Sequence, residues 1–76
     1  MKLIEAKYIK DYLIHCKFDN GKSGVVNLFD CLWGEMFEPL KSIDKFKDFH
    51  ISHISDTIEW SNGADLAPEY LYDNLQ

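Results

Sequence analysis

Apolar and polar residues alternate twice near the start of the chain. Over residues 3–9, Ile4, Ala6 and Tyr8 share one side while Glu5 and Lys7 take the other. A period of two predicts a half-buried strand. Tyr12, Ile14, Cys16 and Phe18 repeat the pattern, with His15 and Lys17 opposite. Only Lys10-Asp11 separates the two runs, which predicts an antiparallel pair. Asp19-Asn20-Gly21 then turns the chain into residues 22–28. A two-residue Asn-Gly loop sets Phe18 against Ser23 and Ile14 against Asn27. A three-residue loop with Gly21 left-handed sets Phe18 against Lys22, Ile14 against Val26 and Tyr12 against Leu28. The second register pairs apolar with apolar, and a one-residue slip would reverse every side chain. A type I turn closed by a glycine bulge is therefore expected.

Beyond this hairpin the pattern loosens. Residues 29–37 are aromatic-rich, and Gly34 breaks any helix there. Leu32, Trp33, Met36 and Phe37 are expected to form a helical turn that caps one end of the core. Ser42 suits a helix N-cap, with Asp44 in the first turn. A helix over residues 43–48 buries Ile43 and Phe46, and Phe49 follows them inward. Residues 50–54 and 57–60 read as two more strands, joined tightly at Ser55-Asp56. Asn62-Gly63 turns the chain again. Pro68 suits the first turn of a helix, where its missing N–H costs nothing. That helix runs to about residue 74, with Leu71 and Leu75 one turn apart. The expected fold is α+β: an antiparallel sheet of about five strands with two short helices, in a single domain over residues 1–76.

A chain of 76 residues buries only roughly 60–65% of its unfolded surface. Aromatic packing or self-association must supplement so small a core, which leaves a homodimer open. Cys16 and Cys31 have no metal spacing and no CxxC pattern, so they read as reduced structural thiols. No apolar run approaches the roughly 18 residues of a membrane span, and no signal-peptide core is present. The expectation is a soluble cytoplasmic protein that does not enter membranes. Net charge is −5, and lysine is the only basic side chain besides histidine. Arginine is the preferred residue for phosphate forks and guanine edges. Its absence from an acidic chain argues against direct nucleic-acid contact and for a basic partner.

Candidate chemistry is sparse. His50 and His53 are three apart, which on a strand puts the rings on opposite faces, so no metal site is expected. His15 sits alone on a polar face. No phosphate-cradling glycine loop occurs. No cofactor or enzyme activity is implied. The richest stretch is Trp60-Ser61-Asn62-Gly63-Ala64-Asp65-Leu66-Ala67-Pro68-Glu69-Tyr70. Trp60 is expected as a core anchor whose indole N–H needs an acceptor. Asp65 precedes a helix whose N-cap, Ala67, has no side-chain acceptor. Its carboxylate either folds back onto the free first-turn amides or joins Glu69 and Tyr70 in an acidic–aromatic patch. Trp60, Asn62, Asp65, Glu69 and Tyr70 are the candidate partner-binding residues.

These residues carry a resemblance. Tyr12-Leu13-Ile14 leading to Phe18-Asp19-Asn20-Gly21, then Phe37-Glu38-Pro39-Leu40 with Phe46, then Trp60 through Glu69 with Leu71-Tyr72, resemble a bacterial family known as domain of unknown function 2442. The resemblance spans nearly the whole chain. Asn27 departs from it, since the family often has an aspartate there. The resemblance implies a small α+β domain and no catalytic residues. Some relatives add a helix-turn-helix segment and look like transcription regulators. Standalone relatives look like the antitoxin-like half of a bacterial two-protein module. The leading expectation is thus an interaction protein that binds a second, small and basic protein. The alternatives are a regulatory domain linked to transcription through a partner or dimer, and a small-ligand binder with a pocket among Trp33, Trp60 and Tyr8.

Overall fold

A computed structural model describes residues 1–76. The chain forms β1 (Leu3–Lys10), β2 (Leu13–Phe18), β3 (Ser23–Asn27), α1 (Ile43–Phe46), β4 (Phe49–Ser52), β5 (Thr57–Trp60) and α2 (Pro68–Asp73). Short 3-10 turns at Phe29–Cys31 and Glu38–Lys41 link β3 to α1. The five strands are divided between two antiparallel sheets, β1-β2-β3 and β4-β5.

The first hairpin register is the one that matches apolar residues. Ile14 faces Val26, the Phe18 N–H donates to the Lys22 carbonyl at 2.9 Å, and the Leu28 N–H donates to the Tyr12 carbonyl at 2.9 Å. Gly21 is left-handed, with φ of 89°. Ile14, Cys16, Phe18 and Val26 are buried on one face. Burial pushes the Cys16 thiol up to about 11, because a thiolate there would lose its water. Both cysteines are free.

One expectation for β1 fails at its ends. The register slips between Leu3 and Glu5 and again between Tyr8 and Lys10, leaving Ile4 and Ile9 as extra residues. Each slip is a β-bulge, which shifts the phase of the alternation. Leu3 takes the buried position that Ile4 was expected to fill, and Ile4 is exposed. Ala6 and Tyr8 remain packed on the core.

The second sheet sets Phe49 against Trp60 and Ile51 against Ile58. It adjoins β1, where the Leu3 N–H donates to the Asp56 carbonyl at 3.1 Å. β4 ends at Ser52, short of the expected Ile54. The Ser52 hydroxyl accepts from the Ile54 and Ser55 amides at 3.3 and 3.4 Å. A side chain that satisfies those amides turns the chain out of the ladder. α1 likewise stops at Phe46, two residues early. Ser42 stands at its N-cap without a side-chain bond, and Ile43 is exposed.

The core is built around rings. Phe46 is buried, with ring centroids 5.1 Å from Tyr12 and 5.9 Å from Trp60. Phe37 and Phe49 flank Trp60 at 6.1 and 6.4 Å. Such pairs add about 0.5–1.5 kcal/mol each beyond their burial. α2 closes the other end. Leu71 is buried, Tyr72 meets Phe18 edge-on at 5.2 Å, and the Lys22 ammonium lies 4.2 Å above the Tyr72 ring. Past α2, Gln76 exchanges two backbone hydrogen bonds of 3.0 Å with Val25 on the edge of β3. This approach leaves no room for a side chain at Gly24, where a Cβ would sit 2.8 Å from the Gln76 carbonyl oxygen.

Candidate functional site

β5 leads into a turn whose side chains brace three other parts of the molecule. The Trp60 N–H donates to the Ala64 carbonyl at 2.8 Å, and the Gly63 N–H donates to the Trp60 carbonyl at 2.9 Å. Gly63 adopts φ of 90°, which glycine tolerates without steric cost. The Trp60 indole Nε1–H donates to the Phe46 carbonyl at 2.7 Å, satisfying an acceptor near the end of α1. Ser61 donates through its hydroxyl to Asp48 at 2.9 Å. The Asn62 Nδ2 donates to the Met36 carbonyl at 2.8 Å, while its Oδ1 accepts from the Ala64 amide at 3.0 Å.

These bonds place the candidate residues in two groups. Trp60 is 1% exposed and anchors the core, so its side chain offers no surface to a partner. Asn62 is exposed, but its amide is committed at both ends to the fold. Asp65, Glu69 and Tyr70 are exposed. Asp65 forms an isolated antiparallel bridge with Glu59, and α2 has no side-chain cap. The capping role considered for Asp65 is therefore absent. Its backbone is committed to the bridge, and its carboxylate is left in solvent.

The segment over residues 29–37 contributes what the sequence reading missed. Leu32 is buried, but Trp33 is 72% exposed and Met36 is 44% exposed, so neither caps the core as expected. Asn62 holds the Met36 backbone, and the Met36 methyl lies 3.7 Å from the position a Cβ would take on Gly63. At the other end of the segment, the Tyr70 hydroxyl lies beside Cys31. Burial, then Cys31 and Asp30, hold the Tyr70 hydroxyl above its ordinary pKa. Burial likewise raises the Cys31 thiol, with Asp30 adding to it against opposing hydrogen bonds. Both groups are thus protonated donors at neutral pH, and neither is an activated nucleophile.

Charge is divided in the same way. Residues 23–40 and 48–76 carry nine of the 13 acidic side chains and no lysine. All eight lysines lie in residues 1–22 and 41–47. Trp33, Met36 and Tyr70 thus stand in lysine-free stretches with Asp30, Glu35, Asp65 and Glu69. The division was legible as a gap in lysine positions; the exposure of Trp33 was not.

The histidines take no part. His50 on β4 pairs its Nε2 with Glu59 at 3.0 Å, and His53 lies in the turn beyond β4. The pocket expected among Trp33, Trp60 and Tyr8 is not formed, because Trp33 points into solvent. The surface pocket lies between α1 and the Trp60-Ser61-Asn62 turn.

One family matches this chain over residues 3–76, described as protein of unknown function (DUF2442). The chain belongs to the DUF2442 family. No curated protein and no solved structure matches it. Much of the stretch that marks this DUF2442 chain in sequence, Trp60 to Ala64, is the bracing turn. The Asn27 Oδ1 accepts from the Phe29 amide at 3.0 Å, at the start of the 3-10 turn. No helix of this DUF2442 chain is long and apolar enough to cross a membrane.

Proposed function

We propose that the chain is a protein-interaction module, the antitoxin-like partner of a second small, basic protein in the bacterial cytoplasm. It works by binding and carries no catalysis of its own. The observation that carries this reading is the exposed Trp33, in a sequence stretch that contains Asp30, Glu35 and Glu38 and no lysine. Exposed tryptophan and tyrosine are the side chains that most often dominate interface energy. A chain with a net charge of −5 steers a basic partner toward it. The proposed contact residues are Asp65, Glu69 and Tyr70, joined by Trp33 and Met36. Trp60 and Asn62 serve this surface by holding its backbone in place.

The test is capture from native lysate at low and moderate salt, run in parallel with Trp33→Ala and with Asp65→Lys/Glu69→Lys. The expected result is one small basic protein, weakened by salt and lost with either variant while circular dichroism stays native. Capture that both variants leave unchanged would overturn the surface. The competing use of Trp33 and Phe29 is self-association, which light scattering at high concentration detects as a dimer that Trp33→Ala dissolves.

A further inference from the structure

The turn after β5 and the end of α1 border an open surface pocket of about 290 Å³. That volume lies just below the roughly 300–1,000 Å³ range of ligand clefts, so its occupant is small. Pro39 provides the accessible apolar wall over the buried Leu40 and Trp60, and the exposed Lys45, Asp48 and Ser61 provide the polar groups. The walls are rigid for reasons already given. Trp60 is buried and tied to Phe46, and Asn62, which also borders the pocket, is tied to Met36 and Ala64.

The two charged groups are both without ion pairs. The salt bridges of the chain join Lys7 to Glu5, Lys41 to Glu38, Lys47 to Asp44 and His50 to Glu59. Lys45 and Asp48 belong to none of them, although they flank one cavity. Asp48 meets only the Ser61 hydroxyl, at 2.9 Å, and a carboxylate has further acceptor sites to offer. An ammonium and a carboxylate, unpaired and set around an apolar floor, are complementary to a molecule with both charges and an apolar body.

We propose that this pocket binds a small zwitterion of the amino-acid class. The ligand carboxylate meets the Lys45 ammonium, its ammonium meets Asp48, and its side chain lies against Pro39. The Ser61 hydroxyl orients Asp48. Both charges contribute, because a ligand with one charge engages only one of the two exposed groups and forgoes the second charge-assisted hydrogen bond.

The experiment uses the full chain, labelled with nitrogen-15, and follows amide shifts as free amino acids are added. Pools identify the preferred side chain. That amino acid is then compared with its N-acetyl and methyl-ester forms. Saturable shifts at Lys45, Asp48 and Ser61 are expected with the free amino acid, and both capped forms lose them. Lys45→Ala and Asp48→Asn each weaken binding about tenfold, the loss of one charge-assisted hydrogen bond. Asp48→Asn keeps an acceptor for Ser61, so the pocket stays formed. Absence of shifts well into the millimolar range would overturn the site. Equal binding of a capped form would overturn the zwitterion. These outcomes are independent of partner capture through Trp33.

Discussion

Between β1 and β3 the chain is held by ladder pairs that repeat along the strands. Between Trp60 and Ala64 it is held largely by side chains, each with its own distant acceptor or donor. The two regions also divide the charge, with five of the eight lysines in residues 1–22 and none after residue 47. A ladder is redundant, because neighbouring pairs preserve register when one is weakened. A brace is not, because no second residue supplies the same bond. The turn region should therefore respond to single substitutions more sharply than the solvent face of the sheet.

The largest effect is expected at the centre of the brace. Trp60→Ala removes a buried indole and orphans the Phe46 carbonyl, a loss of about 3–5 kcal/mol from a total of roughly 5–15 kcal/mol. Urea denaturation should find this variant largely unfolded before the wild-type transition. A midpoint close to wild type would remove the distinction between brace and ladder.

Gly24→Ala tests whether the sheet has a brace of its own. Its new methyl meets the Gln76 carbonyl oxygen, and such overpacking costs about 1–3 kcal/mol. The expected result is a lower melting temperature with faster exchange of the Val25 amide, as residues 75–76 lift from β3. Unchanged exchange at Val25 would mean that the edge does not depend on this contact.

Asn62→Ala deletes two bonds at an exposed position, worth about 1–2 kcal/mol together. The Ala64 amide should exchange faster, and the Met36 resonances should broaden. An alanine as stable as asparagine would show that the brace is redundant after all.

The smallest effect is expected at Asp65. Its carboxylate makes no cap, so Asp65→Asn should shift stability by less than about 0.5 kcal/mol. A clear drop in melting temperature would restore the capping account.

How much of this was legible depends on the range of each interaction. The Ile14–Val26 register could be read because alternation, loop length and glycine position are all local and agree. The indole acceptor was anticipated as a need, but Phe46 lies 14 residues away and could not be named. Ile4 was misplaced because a bulge shifts the alternation without a signal of its own. Trp33 was misplaced because apolar character alone does not say where a side chain faces. Among the site residues, Glu69 and Tyr70 lie at the surface, Asp65 is exposed where its carboxylate was expected either to cap α2 or to join them, Trp60 is the expected anchor and for that reason leaves the partner-binding set, and the pocket was put in the wrong place.

The sequence by itself determined the strand runs, the first hairpin, the helix that begins at Pro68 and the uneven distribution of lysine. Each of these follows from residues within a few positions of one another or from a simple count. Tertiary structure alone decided that the strands split into two sheets, that Trp33 stays in solvent, that Asp65 pairs with β5 instead of capping α2, and that Lys45 and Asp48 share a pocket. Those outcomes depend on where segments far apart in the chain come to rest, and that is set by packing around Phe46 and Trp60, which no local pattern encodes.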